Sequence, residues 1–229
     1  MTTFGEIVEP LSRAAWEDWD DHLPDSHVFC GLAWLRDPLV PGEIDTLLIL
    51  EGKYLSDCIK MQNVNKLELV NSIPKVHLQL FRSKTSYKYI CILKDYNLVL
   101  SSEIVELIKP YLSVAKEIIA IQTKPLNEYQ AMDTSSQDCI IRMICTTKCP
   151  EQLNINFPKL EQPNIIAGVS AGVITLREHL DQTGVALVCY MEHPEEYQIE
   201  EVEKLLEQLN ITPISASRPS SVLNSNLYI

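Results

Sequence analysis

The sequence predicts an α/β protein in which a layered sheet is flanked by helices. Most of this prediction depends on the stretch 160–191. There a short apolar run at 164–166 leads into a segment with apolar residues at helical spacing, and a second apolar run follows at 185–191. Every residue of the second run is apolar, as expected for a strand that helices cover on both faces. The order strand, helix, strand predicts one right-handed crossover at the core of the domain.

The predicted helix of this stretch carries signals at its C-terminal end. Its apolar face is formed by four residues at helical spacing, Val169, Val173, Leu176 and Leu180. Arg177 and His179 follow near the end of the helix, where positive charge interacts favourably with the negative end of the helix dipole. Gly184 then stands where a left-handed cap is expected.

Similar patterns predict the elements of the first half. Residues 28–35 favour a short strand or a turn of helix, and residues 44–50 form a compact apolar run that predicts a strand. Residues 54–61 have helical spacing, so this region also has the order strand, loop, helix. Residues 76–82 and 87–94 predict a hairpin at a sheet edge, because alternate residues of 76–81 are polar, and His77 is predicted to lie on the surface.

The second half continues the alternation of helices and strands. A helix is predicted from Ser101, with Pro110 shortening or kinking it. Residues 118–122 predict a strand, residues 139–145 another strand or a short helix, and residues 199–209 an amphipathic helix. The hairpin at 76–94 and the helix at 199–209 are the two alternatives for a dimer surface.

The chain is predicted to contain three regions. These are an N-terminal acidic segment at 1–26, a single α/β domain at 27–209, and a flexible C-terminal tail at 210–229 that is rich in serine, proline and asparagine. The acidic run at 16–21 is either a solvated loop anchored by its two tryptophans or an acidic docking strip for a partner.

Composition excludes several classes of function. The formal charge is −12 and no lysine or arginine cluster stands out, so nucleic acid is not an expected partner, whereas a basic protein surface is. Neither a secretory signal nor an apolar run of about 20 residues is present, so no membrane span is expected. The seven cysteines are an odd number without a compact framework, which indicates reduced thiols in a reducing compartment. No zinc ligand set and no dinucleotide fingerprint is found, so we expect no metal and no cofactor.

Two motifs compete for a functional role. Residues 168–172 fit the pattern Gly-x-Ser-x-Gly between a strand and a helix, which would make Ser170 a hydrolase nucleophile. However, Asp181 is about 16 Å away along the helix at 1.5 Å per residue, and His193 is the only nearby histidine that follows it. Small residues at a helix start also serve close packing against a strand, so both interpretations of Ser170 stay open at this point.

The second motif is the end of the chain. Leu227, Tyr228 and Ile229 form the pattern hydrophobe, tyrosine, any residue. A terminal carboxylate, a tyrosine ring with its hydroxyl and a leucine provide three different contacts for a partner. A frayed terminus is the alternative.

Four segments together resemble the proteasome assembly chaperone 1 family. They are the opening residues 4–8, the stretch 160–166, the strand-like 184–190 and the ending 224–229. The resemblance implies a non-enzymatic chaperone with a fold similar to nucleoside phosphorylases. It also implies a heterodimer with proteasome assembly chaperone 2 that binds the α-ring of the proteasome core particle during its assembly.

The same resemblance assigns a role to the tail. It implies that Leu227, Tyr228 and Ile229 dock in a pocket between α subunits, as the tails of proteasome activators do. It implies no catalytic role for Ser170. The alternative function is an α/β enzyme of the serine hydrolase or nucleoside-phosphorylase type that uses Ser170. We expect a cytoplasmic protein, with nuclear or endoplasmic-reticulum association left open.

Overall fold

The computed structural model describes residues 31–55, 66–130, 139–149, 157–191 and 204–209, and the unit from Leu32 onward forms the sheet and its helices. Its strands are β1 (Ile44–Glu51), β2 (Leu67–Ile73), β3 (Leu78–Ser83), β4 (Lys88–Leu93), β5 (Ala115–Pro125), β6 (Cys139–Cys145) and β7 (Val185–Met191). Its helices are α1 (Ser101–Val114) and α2 (Gly168–His179). Residues 53–55 and 204–208 are also helical, and short 3-10 turns occupy Pro74–Val76, Leu98–Leu100 and Leu126–Glu128.

The described strands form a seven-stranded sheet in the order β2-β3-β4-β1-β5-β7-β6. Strand β1 lies between β4 and β5 and is parallel to both, and β5 is parallel to β7. Strands β2 and β3 add antiparallel pairs on one side, and β6 adds one on the other. The sheet therefore has a parallel centre with antiparallel edges.

The sheet is covered on both faces. Leu48 lies opposite Ile90 and Ile119, and this row packs in one cluster with the buried leucines of 204–209. The next row, in which Ile49 lies opposite Cys91, packs in a second cluster with α1 and α2. The period of two along a strand sends successive side chains to opposite faces. The predicted α/β class with flanking helices is confirmed.

Four of the predicted strands are confirmed at the centre and at one edge of the described sheet. The prediction at 44–50 corresponds to β1, that at 118–122 to the longer β5, and the choice between strand and short helix at 139–145 is settled by β6. All residues of β7 are buried, as the apolar run predicted. Helix α1 begins at Ser101 as predicted. Pro110 lies inside this helix and does not end it, and the helix continues to Val114.

The strand predicted at 164–166 is wrong, and so is the crossover built on it. Asn164 Nδ2 donates to the carbonyl of Gln130 at 2.8 Å, and its Oδ1 accepts from the Gln130 N–H at 2.8 Å. The side chain of Asn164 thus hydrogen-bonds both backbone polar groups of Gln130. Ile165, the next residue, is 69% exposed. The parallel neighbour of β7 is β5.

The hairpin at 76–94 is confirmed, but its position at a sheet edge is wrong. Strand β2 pairs outside β3, so β2 and β6 are the edge strands of the described sheet. His77 is exposed, as predicted. The alternation in β3 reflects a strand whose second face is only partly covered.

Gly184 is not the left-handed residue after α2. Asp181 takes that conformation, with φ 59°. Gly184 instead packs closely, because a Cβ at this position would lie 3.3 Å from Arg177 Cβ and 3.3 Å from Ile174 Cδ1.

Several predictions lie outside the described residues or only partly within them. The segment 1–26 and the tail 210–229 lie outside, as do residues 56–61 of the helix predicted at 54–61 and residues 199–203 of the helix predicted at 199–209. Of residues 28–35, the described part forms neither strand nor helix.

Candidate functional site

The structure places Ser170 in the core rather than in an open site. It lies in the first turn of α2 and has no solvent exposure. Its backbone N–H donates to Glu51 Oε2 at 2.9 Å, and its hydroxyl donates to the same oxygen at 2.5 Å. A nucleophile has to reach its substrate, so a buried hydroxyl held by a carboxylate does not fit that role.

Glu51 is the centre of this cluster. It is the last residue of β1 and is 5% exposed. Its Oε2 accepts both hydrogen bonds from Ser170, and its Oε1 accepts a hydrogen bond from the hydroxyl of Tyr96, which lies just after β4. A buried carboxylate costs much free energy unless donors surround it. The N-terminus of α2 provides such donors, because its first N–H groups lack partners within the helix and its dipole favours negative charge.

Tyr96 links the carboxylate to the helix. Its hydroxyl donates to Glu51 and accepts the Val169 N–H at 2.8 Å. Burial raises the pKa of the Tyr96 phenol well above its usual range, and the negative charge of Glu51 raises it further. Tyr96 therefore stays a neutral donor in the physiological range of pH.

The backbone conformation and the close packing at position 168 explain why the motif begins with a glycine. Its φ is 70°, a left-handed conformation that glycine adopts without steric cost. A Cβ at this position would collide with Glu51 Oε1 and with the hydroxyl of Tyr96. The Gly-x-Ser-x-Gly pattern thus reflects close packing of a helix N-terminus on a buried carboxylate.

The other proposed members of a hydrolase site do not join Ser170. Asp181 is exposed, and its Oδ2 lies 3.5 Å from Lys148 Nζ on the surface. His193 lies outside the described residues, as do Leu227, Tyr228 and Ile229 of the tail. The tail therefore stays a prediction from the sequence.

Arg177 anchors the opposite end of α2. It is 2% exposed, and its guanidinium donates to the carbonyls of Leu112, Ala115, Lys116 and Thr183 and to Gln182 Oε1 at 2.7–3.1 Å. Burial lowers its pKa, yet a guanidinium stays charged because its ordinary pKa is above 12. The predicted placement of both basic residues in the last turn of the helix is confirmed, and His179 is exposed.

Sequence reasoning did not identify Glu51 or Tyr96. The one available signal was an acidic residue directly after the apolar run 47–50, at the edge where the carboxyl ends of parallel strands meet. Polar groups placed there often belong to a site.

These features define a mixed α/β protein with a parallel sheet centre and a carboxylate at the start of a helix. No family model matches the sequence, and no curated protein matches it. Of the described helices, none is long and apolar enough to cross a membrane.

Solved structures with a similar fold are found. PbaA of Pyrococcus furiosus, an archaeal homolog of proteasome-assembly chaperone, has a TM-score of 0.58 at 13% identity, covering 80% of this chain and 88% of that chain. Its monoclinic crystal form has a TM-score of 0.56 at 13% identity, covering 77% and 82%. A Mycobacterium tuberculosis protein of unknown function has a TM-score of 0.53 at 15% identity, covering 85% and 80%. At these identities the likeness shows a shared fold.

Proposed function

We propose that this chain is a proteasome assembly chaperone, the counterpart of proteasome assembly chaperone 1. It would form a heterodimer with proteasome assembly chaperone 2 and bind the α-ring of the proteasome core particle. The observation that carries the proposal is the likeness of the fold to PbaA, which covers most of both chains. The sequence resemblance at 160–166, 184–190 and the ending supports it from an independent direction.

The geometry at Ser170 also supports a non-enzymatic role. The hydroxyl is buried and donates to Glu51, while the acid of the supposed triad lies on the surface. The only specific sequence support for a hydrolase was the Gly-x-Ser-x-Gly pattern, and the packing of Gly168 and Ser170 on Glu51 now accounts for it.

In this proposal the tail supplies the selective contact. Leu227, Tyr228 and Ile229 would dock in a pocket between two α subunits, with the leucine and the tyrosine ring buried and the terminal carboxylate paired with a lysine. The formal charge of −12 would steer the body towards a basic surface. Exposed charges speed and orient an encounter more than they strengthen the complex, so added salt should lower the association rate more than it raises the dissociation rate.

The test is a pull-down of core-particle α subunits from cell extract with the tagged full-length chain. The comparison variants are a chain that lacks Leu227, Tyr228 and Ile229, and the single substitution Tyr228→Ala. Tyr87→Ala is the matched control, because Tyr87 is 73% exposed and lies in the turn just before β4, far from the tail in sequence. We expect α subunits and a second chaperone with the full chain and with Tyr87→Ala, and at least a several-fold loss with both tail variants.

Two outcomes would contradict different parts of the proposal. Equal recovery of α subunits by all variants would reject the role of the tail but would still support the chaperone function. Recovery by none of them, the full chain included, would reject the chaperone role itself.

A further inference from the structure

Two cysteine side chains meet where β6 ends. Cys145 is the last residue of β6 and is exposed. Cys149 follows after one turn of the chain, is half-buried, and packs against the cluster that contains Leu48 and Ile119. The side chain of Cys149 is hydrogen-bonded to that of Cys145, and both sulfurs are thiols. The two thiols therefore form a pair that a molecule in solution reaches through Cys145.

The turn between the two cysteines is closed by hydrogen bonds. The Cys149 N–H donates to the carbonyl of Thr146 at 3.0 Å, as in a β-turn. Thr146 itself is buried, and its N–H donates to the carbonyl of Gly184 at 2.9 Å. The Gly184 N–H donates back to the hydroxyl of Thr146 at 2.9 Å. The turn that carries Cys149 is thus fixed to the backbone just before β7.

The end of α2 holds the other side of the same turn. The N–H of Thr147 donates to Glu178 Oε2 at 2.8 Å, and its hydroxyl donates to Oε1 of the same carboxylate at 2.5 Å. Lys148 Nζ lies 3.5 Å from Asp181 Oδ2. Every residue between the two cysteines therefore has a contact outside the turn. Two groups that the backbone holds together react with each other far more readily than with separate molecules.

The surroundings of the two thiols give them different roles. Burial, and then the neighbouring Cys145, raise the pKa of Cys149 to about 11. Cys149 therefore keeps its proton at neutral pH, whereas Cys145 is the exposed sulfur that a reagent reaches. Redox-sensitive cysteines are typically accessible and lie next to a second cysteine that resolves the first product. Cys91 and Cys189 are buried, and burial raises the pKa of both thiols, so they do not compete.

We propose that Cys145 and Cys149 are a redox-sensitive thiol pair, which a low-molecular-weight disulfide such as glutathione disulfide converts reversibly to an intramolecular disulfide. The Cys145 thiolate attacks one sulfur of glutathione disulfide, whose S–S bond breaks, and one glutathione leaves as a thiolate that takes a proton from water. Cys149 then loses its proton and attacks the Cys145 sulfur of the mixed disulfide, and the second glutathione leaves. Two protein thiols are oxidised, and one disulfide is reduced to two glutathione thiols.

This inference goes beyond the chaperone function and does not depend on it. Disulfides inside cells are usually transient and often serve redox sensing, so a reversible pair agrees with the reduced cysteines expected from the sequence. The other described cysteine of β6, Cys139, lies at the opposite end of the strand, and it serves as a control below.

The test uses the reduced full-length chain in mixtures of glutathione and glutathione disulfide. The reaction is stopped with acid, the remaining thiols are alkylated, and tryptic peptides are identified by mass spectrometry. Trypsin cleaves after Arg142 and Lys148, so it separates the two cysteines into the peptides 143–148 and 149–159. We expect these two peptides to be linked by a disulfide, in at least about tenfold excess over the mixed disulfide of Cys145, since the second step is intramolecular.

Three variants assign the roles. Cys149→Ser should leave Cys145 as a mixed disulfide with glutathione that persists. Cys145→Ser should give no linked peptides, and Cys149 should react with glutathione disulfide at least about tenfold more slowly than Cys145 does in the Cys149→Ser chain, because it is half-buried and protonated. Cys139→Ser is the matched control, since Cys139 is also a partly exposed cysteine of β6, and it should leave the linked peptides unchanged.

The unaltered chain alone is enough to overturn the proposal. Absence of the linked peptides in every mixture, or accumulation of the Cys145 mixed disulfide while Cys149 is present, would show that the two thiols do not act as a pair. A disulfide from Cys145 to any other cysteine as the main product would also reject it. Loss of the linked peptides in a folded Cys139→Ser chain would assign the reaction to a different set of thiols.

Discussion

The two ends of α2 are each anchored by one buried charged side chain, but in different ways. At the N-terminal end, Glu51 comes from β1, 119 residues before its partner Ser170, and it is held by two side-chain hydroxyls and one backbone N–H. At the C-terminal end, Arg177 belongs to the helix itself and donates to four backbone carbonyls. Both charges agree with the sign of the helix dipole.

The difference indicates which end of the helix contributes more to stability. Arg177 connects α2 to the backbone between α1 and β5 and to the turn before β7, so its loss would leave several buried carbonyls unpaired. Glu51 is held by Ser170 and by the side chain of Tyr96, and Tyr96 lines a pocket at the carboxyl ends of β1, β4 and β5. The C-terminal end should therefore contribute more to stability, and the N-terminal end should tolerate more change.

The largest effect is expected at the C-terminal end. Arg177→Met should lower the free energy of unfolding by about 3–5 kcal/mol, because a buried polar network loses its cation and its acceptors stay buried. Urea unfolding at neutral pH measures this. His179→Ala is the matched control, since His179 is a basic residue of the same turn but is exposed, and it should cost at most about 1 kcal/mol. Equal losses in the two variants would show that Arg177 does not anchor the helix.

The next effect is expected at Glu51. Glu51→Gln keeps the shape but turns one acceptor into a donor that faces Ser170 or Tyr96, so the free energy of unfolding should fall by about 2–3 kcal/mol. Glu68→Gln is the control, because Glu68 is exposed and lies 3.4 Å from Arg82 in a surface ion pair, and it should cost less than about 1 kcal/mol. Urea unfolding of both variants decides the comparison. A Glu51→Gln chain as stable as the unaltered protein would mean that the carboxylate is not needed at the helix start.

A smaller effect is expected at Ser170. Ser170→Ala removes the hydroxyl that donates to Glu51 but keeps the backbone N–H bond, so the loss should be about 1–2 kcal/mol. Ser113→Ala is the control, because the Ser113 hydroxyl donates to the carbonyl of Pro110 on the exposed side of α1, and it should change stability by no more than about 0.5 kcal/mol. Pull-down of α subunits by the folded Ser170→Ala chain should be unchanged. Hydrolysis of an ester that disappears in this variant would instead restore the enzyme as the function.

The sequence predicted the elements that depend on local pattern. The apolar runs of β1, β5 and β7 and the helical spacing of α2 identify buried elements wherever their neighbours lie. The strand predicted at 164–166 was wrong because three apolar or amide residues carry too little signal, and the tertiary pairing of Asn164 with Gln130 determines the backbone there.

Non-local arrangement could not be predicted in the same way. Strand β2 was not recognised, and without it the hairpin at 76–94 was placed at the edge. The sequence marks Glu51 only as an acidic residue after a strand and Arg177 only as a basic residue near a helix end. Their burial depends on partners that the fold brings together, such as the carbonyls of Leu112 and Ala115 for Arg177.

The smallest effect separates the contribution of Tyr96 through its dependence on pH. Tyr96→Phe should cost about 1 kcal/mol at neutral pH, because it removes one donor to Glu51 and one acceptor for Val169.

Burial, with the charge of Glu51, raises the pKa of Tyr96 in the folded state. As pH rises, Tyr96 therefore loses its proton first in the unfolded chain, above about pH 10. The protonated phenol contributes its full stabilisation below that pH, and this stabilisation is lost as the pH rises towards the pKa of the folded state. The difference in unfolding free energy between the unaltered protein and Tyr96→Phe should shrink above about pH 10, by no more than about 1 kcal/mol because solvent screens a half-buried phenol. Tyr87→Phe, at an exposed tyrosine, should show no such change in urea unfolding across the same range, and a constant difference for Tyr96→Phe would mean that its hydroxyl is not coupled to Glu51.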